Sequence, residues 1–223
     1  GTGFGLTAKV LPRVGARRVC ALMHAALEGV VEALEAAPER PVGSIDVLPQ
    51  SERALVLEEW NRTEAEYPAA SCIHHLFQAQ AARTPEAPAV VFEGRTISYA
   101  ELNARANRLA HHLMDRGVGP DVRVGVCLER GPGMVEGVLA VLKAGGAYVA
   151  LDPEYPEERL RYILADSAPA VLLAHSPLAE RFAGMGVPVI AIDRDAAAWA
   201  DAPETDPEPR GLTPEHLAYV IYT

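Results

Sequence analysis

Cysteine is scarce: Cys20, Cys72 and Cys127 are odd in number, far apart and without CxxC spacing. Neither a disulfide framework nor a zinc site is signalled, and three reduced thiols in a cytoplasmic setting are expected. Basic residues are also short, with 20 Lys plus Arg against 30 Asp plus Glu and a formal charge of -10. That is the wrong sign for a protein that neutralises phosphate backbones, so nucleic acid is not expected as a partner. No hydrophobic run approaches a membrane span, and GTGFGLTAKVLPRVGARR lacks the charged-then-apolar order of a signal peptide. No membrane association is expected. There is no paired-carboxylate site, no complete phosphate loop and no nucleophile with a base at recognisable spacing, so the residues alone show no active site. The opening GTGFG lacks the full GxGxxG pattern and reads as a loop or a cut end. With no initial methionine, and Thr223 closing an apparent strand, the expectation is a fragment cut at both ends.

Nearly half of the residues are hydrophobic, enough for a sizeable core. The most informative stretch is 138–167, VLAVLKAGGAYVALDPEYPEERLRYILADS. Val138, Leu139, Val141 and Leu142 make an apolar helix face, Lys143 suits the last turn, and Gly145 and Gly146 supply a left-handed stop. Residues 147–151 have room only for a strand, Asp152, Pro153 and Pro156 form a loop, and Leu160, Ile163 and Leu164 start the next helix. A strand between two helices is the unit of a parallel α/β sheet.

The same rhythm runs through the chain. A long amphipathic helix is predicted over about 14–36, with Val19, Met23, Leu27, Val30 and Leu34 on a face that needs a partner. Residues 51–61 form a helical turn or two with Val56, Leu57 and Trp60 clustered. Ser71 is placed to cap a helix through Arg83 with Ile73, Leu76 and Phe77 inward. His74 and His75 read as structural or solvated, since adjacent residues on a helix point apart and no third metal ligand is indicated. A hairpin is predicted around Glu93-Gly94, and Ser98 with Glu101 makes a capping box for the helix carrying Leu102, Ala106, Leu109 and Leu113. His111 and His112 complement that helix's dipole. Strands follow at 122–128, 171–174, 187–192 and 217–222, with helices at 134–143 and 178–182. The acidic, proline-rich stretch 193–211 reads as a solvated loop.

LKAGGAYVALDPEYPEERLRYILADS resembles the second core motif of the adenylation domains of nonribosomal peptide synthetases, within the AMP-forming activating superfamily; Ala150 stands where that motif usually has proline. ISYAELNARANRLAHHL resembles the first core motif, and LAYVIYT resembles the lead into the third, a Ser/Thr/Gly-rich loop that grips ATP phosphates. LPQSERALVLEEWNRTEAEYP resembles the linker between a condensation and an adenylation domain. The resemblance implies the C-terminal end of a condensation domain at 1–47, a linker at 48–70 and the N-terminal part of an adenylation domain at 71–223. His74-His75 is not followed by the Asp-Gly of a condensation active site. The fold implied is an α/β core with a mainly parallel sheet flanked by helices, preceded by a helical tail. The activity implied for the parent enzyme is ATP-dependent activation of an amino acid to aminoacyl-AMP. ATP and Mg2+ serve that step, and the acyl group passes to the phosphopantetheine thiol of a carrier domain. Partners implied are condensation and carrier domains of the same synthetase. Of the phosphate-loop residues only Thr223 is present, and the fragment alone is expected to be inactive. Two other readings stay open: part of a stand-alone acyl-CoA or aryl acid ligase, and a non-catalytic scaffold module.

Overall fold

The computed structural model describes residues 5–11, 13–208 and 211–223. Most of the GTGFG opening, and two residues of the acidic stretch, lie outside them. The chain divides into two units, Gly1–Tyr67 and Pro68–Thr223.

The first unit is built on α1 (Ala16–Ala36). Its small-residue side is the covered one: a Cβ on Gly29 would lie 2.8 Å from Ile45 Cγ2, and Ala33 is buried. The larger apolar stripe, Met23, Leu27, Val30 and Leu34, is exposed among the described residues. A short α2 (Gln50–Ala54) continues into one π-type turn, Leu55–Glu59, and an Arg18–Glu52 ion pair ties it to α1. Trp60 does not cluster inward; it is exposed.

The second unit opens with α3 (Ile73–Arg83), whose cap is Cys72 and not Ser71: the Cys72 N-H donates to His75 Nδ1 at 3.3 Å. The packed face also differs from the expected one: Ile73 and Leu76, predicted inward, are exposed, while His74 and Ala81 are buried. β1 (Pro88–Phe92) and β2 (Arg95–Ser98) form the expected hairpin; Glu93 and Gly94 both have positive φ, 47° and 77°, as a two-residue turn matched to strand twist requires. Ser98 then caps α4 (Tyr99–Met114) by accepting from the Glu101 N-H at 3.2 Å, while the Glu101 carboxylate pairs with Arg105 instead of closing the box. Leu102, Ala106, Leu109 and Leu113, spaced i, i+4, i+7, i+11, are all buried.

Five parallel strands follow: β3 (Arg123–Cys127), β4 (Ala147–Ala150), β5 (Val171–Ala174), β6 (Val189–Ala191) and β7 (Tyr219–Val220), in the order β6-β5-β3-β4-β7. Alternation along β3 sends Val124 and Val126 into a core with α4 and α5 (Pro132–Lys143), and Cys127 into a second core with α6 (Glu157–Ser167) and Phe182. The sheet is thus covered on both faces, as a parallel sheet must be. α5 ends in a Schellman pattern: Gly146 N-H bonds Val141 O at 2.9 Å, Gly145 N-H bonds Leu142 O at 3.1 Å, and Gly145 has φ of 82°. The predicted helix at 178–182 is a single turn, α7 (Ser176–Ala179), followed by a 3-10 turn, Glu180–Phe182.

Several expectations change. Residues 193–208 are not simply solvated: Trp199 is buried, and Asp206 reaches the Lys143 ammonium at 2.7 Å. Lys143 therefore does not sit in solvent at a helix end; its side chain is fully buried. His112 is buried against the Trp199 ring, 5.0 Å between centroids, and burial, then the Arg116 cation, lowers its pKa, which works against a charged dipole partner. The last strand pairs over two residues, and Leu217, Tyr219 and Ile221 are exposed, so β7 is an edge strand, not a buried one.

Candidate functional site

Ligands of an open parallel sheet bind outside the carboxyl ends of its strands, where successive connections leave on opposite faces. Here β3 leads to α5 on one face and β5 leads to α7 and Phe182 on the other. The crevice between them is filled. His175, at the end of β5, accepts the Glu129 N-H at Nδ1 (3.3 Å), and a Cβ on Gly133 would lie 3.1 Å from His175 Nε2 and 3.0 Å from Ile192 Cδ1. Asp193 accepts both the backbone N-H and the hydroxyl of Ser176, so this corner is a closed hydrogen-bonded lock.

The other half of the carboxyl edge, at β4 and β7, is built differently. β4 runs out into the loop 152–156, where Asp152 accepts the Glu154 N-H at 2.9 Å and Arg181 donates to the carbonyls of Pro153 and Tyr155. Arg159 lies over the Tyr155 ring at 4.7 Å. β7 pairs with β4 in the register Tyr148↔Tyr219, Val149↔Val220. Continued rung by rung, that register brings Thr223 level with Asp152. Thr223 is exposed.

A match to the family described as AMP-binding enzyme covers residues 77–223. The chain belongs to the AMP-binding enzyme family. Over its whole length it is 46% identical to a part of malpinin synthetase of Mortierella alpina, and over 88% of its length 44% identical to a part of bacitracin synthase 3 of Bacillus licheniformis. It spans only 3% of each of those relatives. Among solved structures, the nonribosomal peptide synthetase FmoA3 in an AMPPNP-bound form matches with a TM-score of 0.75 and 33% identity, covering 96% of this chain and 22% of that one.

In this AMP-binding chain Thr223, the sequence-predicted residue, comes three residues after β7, on the side toward which the parallel strands run. His74 and His75 are not brought to it. They sit at the amino end of α3, where burial, followed by the His75 and Lys143 charges, lowers the His74 pKa to about 4. His74 is a neutral packing residue, as its position on a helix without a third ligand implied. A cavity of about 300 Å³ does open near it, between Cys72, Gly146, Tyr148, Thr213 and Tyr219, but at the amino ends of β4 and β7, the wrong end for a phosphate loop. No group of three His, Cys, Asp or Glu side chains able to hold a metal occurs among the described residues.

Sequence reasoning missed the side chains that fasten the 152–156 loop and the two ends of the β7 segment: Arg181, which bonds that loop, Asp121, which accepts the Leu217 N-H at 3.0 Å ahead of β7, and Asp166, which accepts from the Tyr222 hydroxyl after it. Each bond links residues at least 26 positions apart, and no local pattern encodes it. The one available signal was that Asp166 and Tyr222 both stand inside stretches singled out for other reasons.

Proposed function

We propose that this chain is part of a nonribosomal peptide synthetase and carries the N-terminal portion of an adenylation domain, at 71–223. The synthetase it belongs to uses ATP to convert an amino acid to aminoacyl-AMP and pyrophosphate, then transfers the acyl group to a carrier-domain phosphopantetheine thiol. Residues 1–47 are read as the end of a condensation domain and 48–70 as the linker. The observation that carries this reading is the parallel pairing of β7 with β4, which directs the chain toward the carboxyl edge of the sheet just before Thr223. The similarity to malpinin synthetase extends through residues 1–70, which speaks against a stand-alone ligase. The open apolar stripe of α1 fits a helix whose covering partner is another part of the synthetase.

Thr223 would contribute one hydroxyl and one N-H to the triphosphate, the small side chain letting the backbone approach. ATP and Mg2+ supply the phosphoryl electrophile and its charge neutralisation; this chain's own part is framework, holding the edge and excluding water from beneath it through the Leu151, Leu160 and Leu164 core. The setting proposed is the cytoplasm, where the three free thiols stay reduced. No helix among the described residues is long and apolar enough to cross a membrane.

The test is amino-acid-dependent ATP–pyrophosphate exchange by the complete synthetase module. Exchange with one or a few amino acids is expected, and none by residues 1–223 alone. Exchange by the isolated chain, or acyl-CoA formation by the complete protein, would falsify the reading.

A further inference from the structure

β7 is a weak way to deliver a phosphate-binding residue. Only two residues pair with β4, the far side of the strand carries no partner among the described residues, and Tyr219 and Ile221 are exposed. A net backbone hydrogen bond is weak in water, so a ladder of two paired residues does little to hold an edge against fraying. The strand is instead fastened by side chains. At its start, the Asp121 carboxylate accepts the Leu217 N-H at 3.0 Å. At its end, the Tyr222 hydroxyl donates to Asp166 Oδ2 at 2.5 Å, and the Tyr222 ring meets Tyr162 edge-on, 6.3 Å between centroids at 86°. Tyr162 and Asp166 are four residues apart on α6, so they present one surface.

We propose that Asp166 and Tyr222 form a positioning pair that fixes the exit of β7, and so sets where Thr223 meets the ATP phosphates. This rests on the reading of the chain as part of an ATP-using adenylation domain. α6 is a firm anchor because Leu160, Ile163 and Leu164 are buried beneath the sheet. Asp166 stands in the last turn of that helix, so the Tyr222 hydroxyl ties the end of the β7 segment to an element packed under the sheet. The carboxylate, as a charged acceptor, makes the stronger kind of hydrogen bond, and it keeps the phenol protonated by raising the Tyr222 pKa.

The experiment is the exchange assay on the complete synthetase module, comparing Tyr222→Phe, Asp166→Ala, Asp166→Asn and the Tyr222→Phe/Asp166→Ala double variant. Tyr222→Phe keeps the ring contacts and removes only the hydroxyl. It and Asp166→Ala are each expected to raise the KM for ATP about fivefold, as loss of one hydrogen bond implies, with kcat and the amino acid KM within about twofold. The double variant should be no worse than either single one, and Asp166→Asn, which keeps an acceptor, should restore most of the ATP affinity. An unchanged ATP KM in Tyr222→Phe, or additive effects in the double variant, overturns the pair. So does a fall in kcat and a rise in both KM values together with early melting, which marks a merely structural bond. A wild-type module without exchange defeats the functional reading first, and the pair with it.

Discussion

Asp206 and Lys143 form an unequal pair. The lysine side chain is wholly enclosed, whereas 43% of the carboxylate side chain stays in contact with water. Burial pulls the Lys143 pKa down and Asp206 opposes that pull. Burial alone would raise the Asp206 pKa, yet Lys143, Asn103 and Asn107 together hold it below the usual carboxylate range. Removing either partner is therefore not equivalent. Asp206→Ala strands an enclosed ammonium and is expected to cost about 3 kcal/mol, while Lys143→Met leaves a carboxylate that water can reach and costs about 1 kcal/mol. Urea unfolding of the two variants checks the order; equal losses would mean that the charge of Lys143 is not what the contact satisfies. The sequence placed Lys143 correctly in the last turn of its helix but could not foresee the pairing, because the partner lies 63 residues away in a stretch with no periodicity.

At the level of elements, the join between α5 and β4 is tightly packed. A Cβ on Gly146 would stand 2.7 Å from Val118 Cγ1 and 3.1 Å from the Val122 carbonyl, neither of which can swing away. Gly146→Ala is thus expected to destabilise by about 2 kcal/mol through overpacking, read as a lowered thermal midpoint. An unshifted midpoint would show that the α4–β3 connection is softer than its contacts imply. This join was fully legible in advance, since Lys-Ala-Gly-Gly followed by an apolar run dictates helix, stop and strand. So was α4, where cap, 3.6-residue period and glycine exit agree. The start and face of α3 were not, because the cap is Cys72 and the buried face is set by tertiary packing, which puts His74 inside and leaves Ile73 and Leu76 outside. β7 was legible as a strand but not as an edge, since burial depends on which strands stand beside it.

Taken whole, the molecule keeps framework and chemistry at different distances from the sequence. The parallel sheet could be predicted from local rhythm; the fastening of the segment that leads to Thr223, by Asp121 ahead of β7 and Asp166 after it, and of the 152–156 loop by Arg181, arises only in the tertiary fold. The two faces of the sheet also differ in a way that can be followed. Cys127 lies in the α6 face, fully enclosed, and burial raises its thiol pKa to about 11. Thiolate is what alkylating reagents attack, so this sulfur is silent while the sheet is shut. Cys20 and Cys72 are only half-buried. In iodoacetamide at mildly alkaline pH, two thiols are expected to react early and one late, the late rate rising steeply with urea. Early reaction of Cys127, mapped by mass spectrometry, would show that the α6 side opens on its own. Otherwise the buried sulfur is a clock for the sheet, ticking only during the moments when the strands part.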